Sequence, residues 1–279
     1  MSKIIQLSDL HLCPEGERVV GFDPEARLRT VLDAVRREHA DADLCLVTGD
    51  LTDRGDEASY LRLRALLADF PVPLCLMLGN HDSRAPFRRV FPQAEDDGAG
   101  FVQGAIDLGD QRLVFLDTLD EAFPSAGHLC ARRLAWLEAT LKAEPTKPTL
   151  LALHHPPFDL GMEYFRYMLL AEGAELEALL DRHPQVVHLA VGHVHVPVFG
   201  RRRGRSFSAA RGTCHPLLPP FSGMAADYVD RPPSYELILF QGETIILHHM
   251  QVQPDETPVA REVADLDGGP GTLDIFRNV

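Results

Sequence analysis

The chain has 279 residues, 45% of them hydrophobic, enough to bury a full core as one large α/β domain or as two smaller ones. Its 41 Asp and Glu against 27 Lys and Arg give a formal charge of −14, a repulsive field that disfavours nucleic-acid polymers and anionic membrane surfaces as partners. The cysteines Cys13, Cys45, Cys75, Cys130 and Cys214 are odd in number and widely spaced, which argues against a disulfide framework or a zinc–cysteine cluster and fits a reducing cytoplasm. No apolar stretch approaches a membrane span and no basic-then-apolar leader opens the chain, so it reads as neither inserted nor secreted.

Short apolar runs alternate with amphipathic stretches, the way strands and covering helices are written in α/β proteins. The first strand, 3–7, runs into Asp9-Leu10-His11, and a helix over 25–39 follows with apolar residues every three and four. Strand 44–48 delivers Gly49-Asp50; a helix over 57–70 leads to strand 74–78 and to Gly79-Asn80-His81-Asp82. Strand 112–116 and a helix over 132–143 come next. Strand 149–153 ends in His154-His155, a helix covers 172–182, and strand 186–191 ends in Gly192-His193-Val194-His195. Beyond it, 196–199, 206–209, 235–240 and 244–250 are short strands with no helices between them, the pattern of an antiparallel meander. Residues 1–253 are expected to form one domain around two sheets. The proline-rich stretch 217–235 reads as a surface excursion able to cap the domain or contact another subunit, and 254–279 as a loosely attached tail.

The chemistry is concentrated at strand ends. An ionised Asp50 at the rim of an apolar sheet is costly unless something positive sits against it. In α/β sheets the carboxyl ends of the strands share a rim where ligands bind, so Asp9, His11, Asp50, Asn80, His154, His193 and His195 can converge there. Carboxylates, imidazoles and an amide oxygen describe a hard-to-borderline divalent metal site. Seven ligands exceed what one ion with open positions needs, so two ions are the natural inference, with Asp50 bridging them. Singly, each block has a plainer reading: Asp9 as a turn cap, His193 and His195 as two histidines on one strand face, His154-His155 as a turn before Pro156-Pro157. Five such strand ends in one chain are hard to reconcile with packing alone.

In these blocks, taken in order over residues 5–195, the sequence resembles the calcineurin-like metallophosphoesterases. The resemblance implies a four-layer α-β-β-α sandwich of two mixed β-sheets flanked by helices, and hydrolysis of phosphate esters at a dinuclear centre. It implies that Asp9, His11 and His195 hold one ion, that Asn80, His154 and His193 hold the other, and that Asp50 bridges. It makes His81 a catalytic group facing the substrate phosphate, oriented by Asp82. Two divalent ions would generate hydroxide from a shared water near neutral pH, and imidazolium His81 would stabilise developing charge or protonate the leaving group, an effect typically worth about 10²- to 10⁴-fold. No Gly-x-Ser-x-Gly elbow or phosphate-cradling Gly-rich loop competes with this reading.

The compact length, His154-His155-Pro156-Pro157 and Gly212-Thr213-Cys214-His215 look most like the bacterial branch that hydrolyses cyclic nucleotides and glycerophosphodiesters. The substrate is then a small phosphodiester, with His81, His155 and His215 as substrate-contacting residues. The aromatic segment 156–167 either overhangs the metal pair or packs as a cap, and it departs from that branch between Met162 and Glu172. Arg166 reads first as an ion-pair partner, and the run from Arg201 to Arg205 as a solvated hairpin turn. Iron, manganese, zinc or cobalt suits the ligand set. The branch also implies a homo-oligomer, a dimer or larger. A phosphomonoesterase or nuclease of the same superfamily remains open, as does a non-catalytic scaffold, which would be expected to lack metal ligands.

Overall fold

A computed structural model describes residues 1–123, 125–253, 260–263 and 272–275. In chain order the elements are β1 (Ser2–Leu7), α1 (Pro24–Glu38), β2 (Leu44–Val47), α2 (Glu57–Leu67), β3 (Leu74–Leu76), α3 (Arg84–Val90), β4 (Gly104–Leu108) and β5 (Gln111–Leu116). Then follow α4 (Ala131–Ala143), β6 (Thr149–Leu153), a 3-10 turn (Glu163–Phe165), α5 (Gly173–Leu180), β7 (Val186–Val191), β8 (Val198–Arg202), β9 (Arg205–Ala209), β10 (Ser234–Gln241) and β11 (Thr244–Gln251). The strands β12 (Ala260–Val263) and β13 (Thr272–Ile275) pair only with each other, antiparallel. The rest of the stretch expected as a loose tail, 254–259, 264–271 and 276–279, lies outside the described residues.

Local signals explain where helices begin. Asp23 caps α1 by accepting from Ala26 N at 3.0 Å, with Pro24 in the first turn, and Asp56 caps α2 by accepting from Ser59 N at 2.9 Å. The apolar stripe of α1, Leu28, Val31, Leu32 and Val35, is fully buried.

Two sheets carry the fold, ordered β11-β10-β1-β2-β3 and β4-β5-β6-β7-β9-β8. Three apolar cores stack the layers. The helix side of the first sheet joins Leu28, Val31, Tyr60 and Phe87 to Ile5, Cys45 and Val47. Between the sheets, Ile4, Leu46 and Phe240 meet Phe115, Leu150 and Ala190. On the far side, Val114, Leu151 and Leu189 pack against Leu137, Leu141 and Leu176 of α4 and α5. This alternation is the α-β-β-α sandwich that the family resemblance implies.

The late strands do not form one meander. The β8-β9 hairpin joins the second sheet, with β9 parallel to β7, whereas the β10-β11 hairpin joins the first, with β10 antiparallel to β1. The proline-rich excursion between them carries the chain from one sheet to the other. Hairpin arginines are held by α5 and its C-terminal residue: Arg202 by Glu177 and Arg203 by Asp181 at 3.0 Å, so this run is a solvated edge. Among the described residues no helix is long and apolar enough to cross a membrane.

Candidate metal centre

The seven expected ligands come from both sheets and meet where the rims face each other. Asp9 and His11 follow β1, Asp50 follows β2 and Asn80 follows β3; His154 follows β6, and His193 and His195 follow β7. Six of them are buried, Asp9 and His154 completely, while Asn80 is partly open. Asp50 lies at the junction: its Oδ2 is 3.5 Å from His11 Nε2 and 3.4 Å from His154 Nε2. Asp9 Oδ1 is 3.3 Å from His195 Nε2, and Asn80 Oδ1 is 3.1 Å from His154 Nε2.

The backbone is forced to make this convergence. Asp9, His11, Asp50, His193 and His195 all adopt left-handed φ, between 46° and 71°. Each such residue costs on the order of 1–3 kcal/mol and persists only where neighbours over-determine it. Here His11 N donates to Asp50 O at 2.9 Å, Asp9 N to Gly49 O at 3.1 Å and Cys214 N to Asp9 O at 3.2 Å. Gly79 allows the closest approach, because a Cβ there would collide with the Asp50 carboxylate.

Hydrogen bonds fix which imidazole nitrogen is free. His154 Nδ1 donates to Thr48 O at 2.7 Å and His195 Nδ1 to His215 O at 2.9 Å, while His11 Nδ1 is 3.3 Å from Asp53 Oδ1. Their Nε2 atoms therefore face the carboxylates, the way ligating histidines are oriented by outer partners. The buried Nε2 atoms of His11 and His193 have no hydrogen-bond partner. Orphaned imidazole nitrogens beside two buried carboxylates fit divalent cations.

Charge distribution agrees. Burial alone pushes Asp50 up, but His154, His81 and His11 together hold its carboxyl well below the usual carboxylate range. Burial likewise opposes protonation of His154, yet Asp50 and Asp9 raise it to about 9. A cation taking its place at His154 Nε2 must displace that proton. Metal binding at pH 7 is thus expected to release about one proton, with apparent affinity climbing as pH rises toward about 9. Calorimetry in two buffers of different ionisation enthalpy measures this; equal heats would refute it.

The remaining expected residues fare differently. His81 is 42% exposed, donates from Nδ1 to Asp53 O at 2.9 Å and leaves Nε2 free toward the cleft. Burial works against its protonation, but Asp50 and Asp53 raise it. Asp82 does not hold the His81 ring: its carboxylate accepts from Leu51 N, Thr52 N, Thr52 Oγ1, Tyr60 Oη and Gly79 N. It braces the two loops that carry Asp50 and Asn80. His155 is also misplaced as a substrate contact, being fully buried with Nδ1 2.8 Å from Thr118 Oγ1 and its ring 4.7 Å from that of His193. His215 lines the cleft with its ring centroid 4.4 Å from those of His11 and His195; burial, with His195 and His11 adding to it, keeps it neutral. Tyr164, Phe165 and Met168 overhang the same cleft, and Arg166 pairs with Asp159 at 3.0 Å. Asp53 was not anticipated: a loop carboxylate three residues after Asp50 has no pattern to distinguish it.

The calcineurin-like phosphoesterase family model matches residues 2–197, which include all seven side chains. The chain is 36% identical over 258 residues to a probable cyclic nucleotide phosphodiesterase of Rhodopseudomonas palustris, covering 91% of this chain and 93% of that one. It is 30% identical over 236 residues to a glycerophosphodiester phosphodiesterase of Enterobacter lignolyticus, covering 83% and 84%. In fold it is similar to a dimetal phosphatase from Danio rerio, with a TM-score of 0.63 at 15% identity over 90% of this chain and 99% of the other. With the matched span ending just past the last of the histidines that close around Asp50, the chain belongs to the calcineurin-like phosphoesterases.

Proposed function

We propose that this protein is a metal-dependent phosphodiesterase of small diesters working with two ions. One observation carries the reading: a single buried carboxylate, Asp50, stands within 3.5 Å of an imidazole from each of two ligand groups. Asp9, His11 and His195 would hold one ion, Asn80, His154 and His193 the other, with Asp50 between them. When bound, such a pair would supply acidified water and neutralise phosphate oxygens; a single bound zinc ion can by itself bring a water pKa from 15.7 to about 7.

The protein's own residues do the rest. His81 presents Nε2 to the cleft while Asp53 O anchors Nδ1, so a protonated ring donates to the phosphate or to the departing alkoxide. The Asp50 carboxylate accepts from His81 N at 2.9 Å, which ties the donor's position to the ligand. His215 lines the same cleft as a neutral imidazole. Mixed oxygen and imidazole ligands support iron, manganese, zinc or cobalt. Free cysteines, four of the five buried, support a cytoplasmic setting, and Phe221 and Met224, exposed on the 217–235 excursion, support a homo-oligomer.

The test is metal analysis of protein purified without chelator, together with rates on bis-p-nitrophenyl and p-nitrophenyl phosphate. About two ions per chain and a preference for the diester are expected. His81→Ala should lower kcat about 100-fold with metal content unchanged. Preference for the monoester, or full activity without metal, would refute the reading.

A further inference from the structure

The cleft at the centre has two unlike sides that share Asp53, Asn80 and His81. One, of about 430 Å³, contains the proposed ligands His11, Asp50, His193 and His195 and is lined beyond them by the apolar and aromatic surface of Tyr164, Phe165, Met168 and Tyr228. The other, of about 380 Å³, is polar, with Arg54 and Glu121 at its edge. The charged groups there are already engaged, Arg54 with Glu17 at 3.0 Å and Glu121 with Arg84 at 3.3 Å.

The aromatic side is assembled rather than incidental. Tyr164 comes from the 3-10 turn and Tyr228 from the proline-rich excursion, and Gly223 N donates to Glu163 Oε2 at 3.2 Å to join the two segments. An isolated bridge between Leu217 and Tyr228 closes the excursion on itself. The Tyr228 ring stands edge-on to His215 at 5.3 Å, and the Tyr164 ring edge-on to Phe165 at 5.0 Å. Both tyrosines thus pack against a neighbouring ring yet stay partly open, Tyr228 by 45%.

We propose that Tyr164 and Tyr228 form a stacking subsite for a nucleobase, so that the preferred diesters are 3′,5′-cyclic nucleotides rather than diesters of aliphatic alcohols. This deepens the phosphodiesterase reading and rests on it. A planar heteroaromatic ring gains from stacking on tyrosine faces whatever its hydrogen-bonding pattern. A glycerol group gains little there and leaves the apolar wall wet. In a cyclic nucleotide both ester bonds belong to one ribose, so only one side of the cleft must hold an organic group and the polar side stays hydrated.

The experiment is steady-state hydrolysis of cyclic AMP and of glycerophosphoethanolamine, with inhibition constants for adenosine monophosphate and inorganic phosphate. Tyr228→Ala and Tyr164→Ala are each expected to raise KM for cyclic AMP about tenfold, with kcat moved far less. The ratio of kcat/KM for cyclic AMP to that for glycerophosphoethanolamine should fall with it. Adenosine monophosphate should weaken as an inhibitor relative to phosphate, and Tyr228→Phe should restore both ratios. Unchanged ratios in both alanine variants, or equal losses on the two diesters, overturn the subsite and leave the phosphodiesterase reading standing. A metal-loaded wild type that cleaves neither diester overturns both.

Discussion

Asp50→Asn is expected to lower kcat by about 10⁴-fold or more, because it removes the carboxylate that would stand between the two proposed ions and with it much of their acidification of a bound water. Asp50 is 1% exposed and faces His11 Nε2 and His154 Nε2 across one oxygen. An amide of the same shape offers a single neutral oxygen and no charge to balance two cations. The metal-free fold should survive, since exchanging one member of a buried pair for a neutral isostere is tolerable when the partner also goes neutral. His154 can do so, because Asp50 is the main influence holding its proton against burial. Circular dichroism should match wild type, while manganese should raise the thermal midpoint of wild type and not of the variant. A variant that binds two equivalents of metal and turns over within tenfold of wild type would sink the bridging role.

The convergence of the candidate ligands was legible because they sit where strands stop, and strands announce themselves as apolar runs. Thr149–Leu153 and Val186–Val191 fall at the expected residues, and the histidines follow directly. That the strands divide between two sheets was not legible in the runs themselves, since β10 gives no sign of whether β9 or β1 will be its neighbour. Among the described elements, β4 and α3 lacked a pattern. In β4, Gly104 and Asp107 dilute the strand signal, and pairing with β5 makes the element. In α3, Pro86 lies in the first turn, where it is tolerated, and buried Phe87 and Val90 carry too short a stripe to show periodicity.

Residues that act on a ligand through another group were the hardest to see. Asp53 and Thr48 each fix an imidazole nitrogen, of His11 and His154, but Thr48 does so with a backbone carbonyl, which no side chain encodes. Asp82 shows the converse error. Next to His81 in sequence, it invites pairing with that ring, yet adjacent side chains in a tight turn point apart, and five donors from other segments claim its carboxylate. The aromatic wall is a third case, because Tyr164 and Tyr228 come together only after the excursion folds back over the 3-10 turn.

Asp82→Asn should destabilise the protein by about 3 kcal/mol, a large share of a typical domain's stability. One oxygen of the native carboxylate accepts from Thr52 N, Thr52 Oγ1 and Tyr60 Oη, and the other from the backbone N–H groups of Leu51 and Gly79. An asparagine can keep its carbonyl toward the first group only by turning its own NH₂ on the second. Two buried backbone donors then meet a donor, at roughly 1–3 kcal/mol each. Relief works against that loss: burial, followed by the Asp50 charge, pushes the Asp82 carboxyl up to about 6, so its ionised form is itself unfavourable, and the net falls below the sum. Leu51 adjoins Asp50 and Gly79 adjoins Asn80, so the same displacement reaches two of the proposed ligands and should weaken metal affinity about 10- to 100-fold. Urea titration at constant m reads the first effect and competition with a chelator the second. If the midpoint in urea and the metal affinity both match wild type, Asp82 does not brace these loops, and the role expected from its neighbour His81 returns.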